Sequence, residues 1–136
     1  MVALGRIGKK SGKGFYAYPE GGKKVFWSGL AELFPVAAQQ PAIEDLVQRL
    51  IVIQSLETAR CMEEGVLTTA RDADVGSILG WGFPPFRGGT ISQIHTTGIA
   101  AFVAQCNALA ELHGERFRPT KTLQEMAANG AVFYTR

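Results

Sequence analysis

The feature that most constrains the fold is the stretch from Ala42 to Glu64, which contains neither glycine nor proline. Its apolar residues recur mostly three or four positions apart, as on one face of an α-helix. They are Ile43, Leu46, Val47, Leu50, Ile53, Leu56 and Met62. Pro41 suits the first turn of a helix, and Gly65 suits its C-terminal stop. We therefore predict one long helix that is buried along much of its surface, in a core or in a core plus a subunit interface.

Further helical segments follow this stretch. The first carries Val75, Ile78 and Leu79, and Asp72 is its expected N-cap. Glycine ends three later segments, which are residues 90–97, residues 99–113 and a last helix capped by Thr120 or Thr122. Five helices with short joints predict an all-α domain over residues 41–136.

The first 40 residues differ in composition from the rest. Glycines interrupt any periodicity, and lysines add positive charge at positions 9, 10, 13, 23 and 24. Phe15, Tyr16 and Tyr18 are candidates to anchor a short extended piece, and residues 25–34 suit either a short strand or a brief helix. We expect residues 1–40 to be an irregular extension that works as a tail or linker.

Composition and charge exclude several classes of function. The 14 basic and 12 acidic residues leave a net charge of only +2, which gives no electrostatic footprint for nucleic acid. No apolar run is long enough for a membrane span, and we expect a cytoplasmic protein. Cys61 and Cys106 are expected as reduced residues inside helices. His95 and His113 lie far apart and neighbour no cysteine pair, so no metal site is predicted.

Residues 80–89 read GWGFPPFRGG, which combines four glycines with two adjacent prolines. The prolines restrict the backbone, the glycines permit tight bends, and the aromatic side chains offer large apolar surfaces. The stretch predicts a rigid corner pinned by aromatics between two helices, and a docking surface for a neighbouring domain is the alternative. The residues of this structural or interdomain loop are Trp81, Phe83, Pro84, Pro85, Phe86 and Arg87.

Charged residues near this loop invite a chemical interpretation. Arg87 is expected to cap backbone carbonyls or to pair with Asp72 or Asp74, although its planar guanidinium also suits phosphate. An acidic group invites an acid–base or metal role, but helix-surface and capping roles are the preferred interpretation. Its members are Glu57, Glu63, Glu64, Asp72 and Asp74.

Two segments of the chain repeat a short pattern. Residues 12–18 read GKGFYAY and residues 129–134 read NGAVFY, so that glycine is followed by Phe-Tyr in both. If each pattern closes a domain, residues 1–18 are the tail of a preceding copy.

Three stretches, taken in order, carry a family resemblance. They are residues 6–16 (RIGKKSGKGFY), residues 57–65 (ETARCMEEG) and residues 72–89, which run from Asp-Ala-Asp to GFPPFRGG. Together they resemble the C-terminal region of the multifunctional 3-hydroxyacyl-CoA dehydrogenases of fatty-acid β-oxidation. The resemblance covers roughly residues 5–134.

The resemblance implies a place within a larger enzyme of lipid metabolism. In this family an enoyl-CoA hydratase domain comes first, then an NAD-binding Rossmann domain, then two related helical domains. Residues 1–40 would be the tail of the first helical domain plus a linker, and residues 41–136 the second. The parent would be an oxidoreductase that converts (3S)-3-hydroxyacyl-CoA to 3-oxoacyl-CoA with NAD as cofactor. Its partners would be the preceding domains and the acyl-CoA substrate, while a homo-oligomer and a thiolase subunit stay open.

The residues themselves supply no catalytic machinery of this kind. No G-x-G-x-x-G motif follows a strand, so no dinucleotide site is readable. The family's histidine base belongs to the Rossmann domain, and neither His95 nor His113 lies in a matching motif. We therefore expect no catalytic, cofactor-binding or metal-binding residue in this fragment, and a scaffold or dimerisation role that supports the substrate cleft.

Other interpretations of the same residues remain open. In one of them, the loop at residues 80–89 contacts acyl-CoA directly. In another, the N-terminal lysines steer the phosphates of CoA, although a solvated linker surface explains those lysines more simply. The chain would also fit a stand-alone helical protein-interaction module without an enzymatic parent. A third hypothesis is a small enzyme that uses His95 with an acidic partner.

Overall fold

The computed structural model describes residues 1–135 and is predominantly helical. It contains six α-helices in that range, five of which have at least eight residues. The prediction of an all-α fold with about five helices and an irregular N-terminal extension is confirmed. By its contacts the chain separates into two compact units, Met1–Gln40 and the remainder from Pro41 onward.

The first unit is held by local contacts. Two 3₁₀ turns, Val2–Leu4 and Lys9–Ser11, precede strands β1 (Tyr16–Ala17) and β2 (Val25–Phe26), and the short helix α1 (Leu30–Leu33) follows. The strands pair antiparallel, and the rings of their partner residues, Tyr16 and Phe26, stack with centroids 4.7 Å apart.

This unit has no apolar core of its own. The Arg6 guanidinium donates to the carbonyl of Gly14 at 2.9 Å and lies 3.9 Å from the centre of the Trp27 ring. Large apolar side chains are exposed throughout, namely those of Val2, Leu4, Ile7, Phe15, Val25, Phe26, Leu33, Phe34 and Val36. Contiguous exposed apolar surface of this kind is typical of an interaction surface.

Helix α2 (Ile43–Glu63) is the predicted long helix. Pro41 lies before the helix, not in its first turn as expected, because Ala42 is still extended and serves as the N-cap residue. Gly65 ends the helix with a positive φ of 75°, which agrees with the prediction. Burial is confined to its later part, at Ile51, Val52, Ser55, Leu56, Thr58 and Ala59. The apolar residues of its first turns are exposed; they are Ile43, Leu46, Val47 and Leu50.

Helix α3 (Ala70–Trp81) corrects the predicted cap of this segment. Its N-cap is Thr69, whose Oγ1 accepts a hydrogen bond from the Asp72 backbone N–H at 3.0 Å, so Asp72 lies in the first turn. The buried side chains are Ala73, Asp74 and Ser77, whereas Val75 and Leu79 are exposed.

Helices α4 (Thr90–Thr97), α5 (Ile99–His113) and α6 (Lys121–Asn129) complete the second unit. Thr120, one of the two predicted caps, accepts a hydrogen bond from the Leu123 backbone N–H. Helix α4 packs against α2 and α3, and α5 packs against α6. The buried core consists of Val52, Leu56, Ala59, Ala73, Ile91, Ile94, Ile99, Phe102, Cys106, Leu109, Ala110, Phe117 and Leu123.

No helix within residues 1–135 combines the length and the hydrophobicity that a transmembrane span requires.

Candidate functional site: the corner between α3 and α4

The glycine- and proline-rich stretch forms the corner that joins α3 to α4. Gly82 ends α3 with a left-handed backbone (φ 79°). A 3₁₀ turn, Pro85–Arg87, follows, and Gly88 and Gly89 both have positive φ before α4 begins at Thr90. Three glycines therefore adopt backbone conformations that other residues rarely take.

The three aromatic residues of the corner have different environments. Phe83 is 1% exposed, whereas Trp81 is 56% and Phe86 is 84% exposed. The Trp81 indole N–H donates to Gln54 Oε1 on α2 at 3.0 Å. The expectation that all three aromatics pin the corner is therefore too broad, because only Phe83 is buried. Pro84 is half-buried and Pro85 is exposed.

A buried carboxylate organises the corner. Asp74 of α3 is 5% exposed and accepts hydrogen bonds from the backbone N–H groups of Ile91 (2.7 Å) and Ser92 (3.0 Å). The Ser92 hydroxyl donates to its Oδ2 at 2.5 Å. These N–H groups lie in the first turn of α4, where they have no partner within the helix and where the helix dipole favours negative charge. Asp74 therefore caps α4 from a neighbouring helix.

Gly89 is required for this cap. A Cβ atom at position 89 would lie 2.5 Å from the Asp74 Cα and from its Oδ1, and the φ of Gly89 is 112°. Both the close approach of the two backbones and the positive φ exclude a larger residue. The paired glycines at the end of the motif thus serve the contact between Asp74 and α4.

The C-terminal segment closes over the same carboxylate. The Tyr134 hydroxyl donates to Asp74 Oδ2 at 2.6 Å, and the Tyr134 ring meets the His95 ring edge-on with centroids 5.6 Å apart. Burial and the neighbouring Asp74 carboxylate raise the pKa of Tyr134 to about 12. Sequence reasoning missed this contact, although the repeated Phe-Tyr pattern already singled out Tyr134.

Arg87 has a different partner from those predicted. Its Nη1 donates to Gln93 Oε1 at 2.9 Å, and it forms no ion pair with Asp72, Asp74 or any other carboxylate of residues 1–135. The reason is that Asp74 is turned towards the first turn of α4. The Nε atom of Arg87 is shielded from solvent and has no hydrogen-bond acceptor among the described residues.

The remaining acidic residues act mainly on helix surfaces and at caps, as the preferred interpretation predicted. Glu63 accepts hydrogen bonds from the Thr122 backbone N–H at 2.8 Å and from its hydroxyl at 2.7 Å, which caps α6. These hydrogen bonds lower the pKa of Glu63. Glu57 pairs with Arg60 one turn along α2 at 2.8 Å. Within residues 1–135 no three of the His, Cys, Asp and Glu side chains gather to hold a metal ion.

The histidine and cysteine residues do not assemble a catalytic group in the part of the chain that the structure describes. His95 makes no hydrogen bond to a carboxylate there. Cys61 and Cys106 are free thiols, and burial raises the pKa of the fully buried Cys106 thiol to about 12. A thiol with so high a pKa stays protonated and is a poor nucleophile at neutral pH.

No protein-family model matches the chain. Curated proteins that match it include alpha subunits of the fatty acid oxidation complex. The subunit from Pseudomonas syringae pv. syringae (strain B728a), named fatty acid oxidation complex subunit alpha, is 44% identical over 95% of this chain. Relatives of the same name from Pseudomonas paraeruginosa (strain PA7) and Pseudomonas putida (strain GB-1) are each 43% identical over 98% of it.

The chain spans about a fifth of the length of these relatives, 19% of the first and 20% of the other two. The chain is thus similar, over nearly its whole length, to the C-terminal part of fatty acid oxidation complex alpha subunits. The resemblance drawn from the three sequence stretches is confirmed.

Proposed function

We propose that residues 41–136 are the second C-terminal helical domain of an NAD-dependent (3S)-3-hydroxyacyl-CoA dehydrogenase of fatty-acid β-oxidation. The observation that carries this proposal is the similarity of 95–98% of the chain to one fifth of the fatty acid oxidation complex alpha subunits. The parent reaction transfers hydride from a 3-hydroxyacyl-CoA to NAD. In this proposal NAD and the reacting thioester bind to other parts of the parent polypeptide.

In this proposal the domain has a scaffold role and supplies no catalytic residue. The most buried carboxylate of the corner, Asp74, already accepts hydrogen bonds from Ile91, Ser92 and Tyr134. A carboxylate with its lone pairs occupied in this way is held in place as a cap and is a poor candidate for a proton-transfer base. This supports a structural function for the GFPPFRGG corner.

The proposed assignment of residues 1–18 to a preceding helical copy gains support from backbone conformation. Gly12 and Gly130 both end a helical turn in the left-handed region, with φ values of 69° and 68°. Each glycine is followed, three and four residues later, by Phe and Tyr. Gly12 follows a 3₁₀ turn and Gly130 follows α6, so the two segments share the sequence pattern and the left-handed glycine, which supports two copies of one unit.

The proposed partners are the preceding helical and Rossmann domains of the parent chain and, through them, its acyl-CoA substrate. The exposed side chains of Leu46 and Leu50 in the first turns of α2 suit an interface, because burying such a side chain fully contributes roughly 1.5–3 kcal/mol. Formation of a homo-oligomer, binding of a thiolase subunit and a cytoplasmic location of the parent protein remain predictions from the sequence.

A chimera tests the proposal. The matching C-terminal fifth of the Pseudomonas syringae relative is replaced by this chain, and NAD reduction with a 3-hydroxyacyl-CoA is measured. We expect the chimera to retain activity, and the relative without its last fifth to lose it. A folded but inactive chimera, or a fully active truncated relative, would overturn the proposal.

Binding measurements on the 136-residue chain test the scaffold assignment separately. Calorimetric titration with NAD is expected to give no heat of binding, and titration with acetoacetyl-CoA a weak signal or none. Unaided reduction of NAD by this chain with a hydroxyacyl thioester would contradict the assignment and would favour the hypothesis of a small enzyme. In that case the variant His95→Ala decides whether His95 participates.

A further inference from the structure

A cleft with one apolar wall and one polar wall lies beside Arg87. Its volume is about 410 Å³, which is within the range of small-molecule sites. Helix α2 supplies the apolar wall with Val47, Ile51 and Val52, and the opposite wall carries Arg87, Gln93 and Thr97. The cleft lies wholly within the second unit and is separate from the buried cap at Asp74.

The polar wall is organised by a chain of hydrogen bonds. Arg87 Nη1 donates to Gln93 Oε1 at 2.9 Å, and Gln93 Nε2 donates to Thr97 Oγ1 at 3.0 Å. The Thr97 hydroxyl in turn donates to the Gln93 carbonyl at 2.8 Å. Gln93 is therefore held in one orientation, and it fixes one side of the guanidinium.

The other side of the guanidinium has no acceptor among the described residues. Nε is shielded from solvent and unpartnered, and Nη2 makes no hydrogen bond there. A buried donor without an acceptor costs free energy, so an oxyanion that accepts hydrogen bonds from Nε and Nη2 is favoured while Nη1 keeps its bond to Gln93. These two donors form the planar fork that matches the two oxygens of a carboxylate.

The surroundings favour a singly charged ligand with an apolar body. Glu44 also lines the cleft, and its negative charge opposes a doubly charged anion more than a singly charged one. Val47 is 43% exposed beside the cleft, so an aliphatic chain would remove apolar surface from water there.

We propose that this cleft binds a small carboxylate on a short aliphatic chain, with its head group on Arg87 and its chain against Val47 and Ile51. This site is independent of the proposed function, because it requires no other part of a parent enzyme.

An NMR titration of the 136-residue chain with hexanoate tests the proposal. The Arg87 Nε–H and Gln93 side-chain amide resonances are expected to shift saturably. 1-Hexanol, which lacks the charge, and inorganic phosphate, which lacks the chain, are expected to bind at least about tenfold more weakly. Equal binding of hexanol would overturn the role of Arg87, and equal binding of phosphate would overturn the role of the apolar wall.

Variants of the same chain locate the site. Arg87→Gln is expected to weaken hexanoate binding about tenfold or more, and Arg87→Lys, which keeps the charge without the fork, to weaken it less. Glu44→Gln is expected to tighten binding about twofold to fivefold by removing a like charge. Arg71→Gln is the matched control, because Arg71 is exposed and lies outside the cleft.

Unchanged affinity in Arg87→Gln would overturn the proposal. If that variant does not fold, Arg87→Lys and Glu44→Gln decide, and unchanged affinity in both would overturn it equally. Shifts confined to resonances away from the cleft lead to the same conclusion.

Discussion

The two Phe-Tyr segments of this chain have different surroundings. Tyr134 directs its hydroxyl to the buried carboxylate of Asp74, and its neighbour Phe133 packs against the core of the helical unit. Tyr16 stacks on the exposed Phe26 in a two-stranded ribbon, and its neighbour Phe15 is 56% exposed.

The environment, not the motif, determines which contacts the Phe-Tyr pattern makes. Tyr134 meets a complete helical unit in which Asp74 and Gly89 form a cap at the start of α4. Within residues 1–40 Tyr16 has no buried carboxylate beside it, and that unit has no apolar core. The proposed assignment of residues 1–18 to the end of a preceding helical copy would account for this difference.

Gly89→Ala is expected to break the Tyr134 environment most severely. The new methyl group would collide with Asp74 at 2.5 Å, and alanine would be strained at a φ of 112°. The free energy of unfolding is expected to fall by about 3–5 kcal/mol, as strain and overpacking add. Urea unfolding followed by circular dichroism measures it, with Gly80→Ala as control. Gly80 lies in α3 with open space around it, so its replacement is expected to be neutral or slightly stabilising. Equal losses in both variants would contradict the role assigned to Gly89.

Asp74→Asn is expected to have the next largest effect. The amide that replaces one carboxylate oxygen would face the donors Ser92 and Tyr134, and the charge that favours the first turn of α4 would be lost. We expect a loss of about 2–4 kcal/mol in the same unfolding assay. Asp72→Asn is the matched control, because Asp72 is exposed two residues earlier on α3, and its change should stay within about 0.5 kcal/mol. A loss below 1 kcal/mol for Asp74→Asn would show that the cap is not important.

Tyr134→Phe and Tyr16→Phe compare the two segments directly. Removal of the Tyr134 hydroxyl leaves Asp74 with one donor fewer, and about 1–2 kcal/mol of stability should be lost. Removal of the Tyr16 hydroxyl is expected to change the stability by no more than about 0.5 kcal/mol. Because the pKa of Tyr134 is raised to about 12, its contribution should be present below pH 10 and disappear as the pH rises towards 12. Equal effects of the two variants would mean that the two tyrosines have equivalent environments.

Glu63→Gln tests a cap in a more exposed position and should have the smallest effect. The hydrogen bonds from Thr122 lower the pKa of Glu63. Its contribution to stability is therefore present above the pKa of the unfolded state and is lost as the pH falls through the lower folded value. Unfolding measured from pH 7 down to pH 3 should show a weaker pH dependence in Glu63→Gln than in the parent chain. An identical slope in the two proteins would exclude a role for this carboxylate.

Periodicity and glycine positions predicted where the helices lie, but not which face of each helix is buried. In α2 the apolar spacing correctly predicted a helix, yet the first turns are exposed because no other element of the helical unit covers Ile43 and Leu50. In α3 the large apolar residues do not mark the buried face. The face of α3 that packs against α4 carries the small residues Ala73 and Ser77 and the capping carboxylate of Asp74. Val75 and Leu79 therefore lie on the solvent-exposed face.

The contacts of the corner were less predictable than the corner itself. The glycines and prolines of GFPPFRGG predicted a tight connection between two helices, and the structure has one. Arg87 contacts Gln93 because the turn places Arg87 beside α4. Asp74 contacts Tyr134, which lies near the opposite end of the helical unit. Contacts of this kind follow from tertiary packing, which local spacing in the sequence does not encode.

Hydrogen exchange measured by mass spectrometry tests the central claim most directly, namely that the helical unit is stable on its own while residues 1–40 lack a core. For the 136-residue chain, the account predicts slow exchange, near the rate set by global unfolding, for amides in the buried half of α2 and in α5. Most amides of residues 1–40 are expected to exchange within seconds. Comparable protection in both units would contradict the claim that only the helical unit has a stable core.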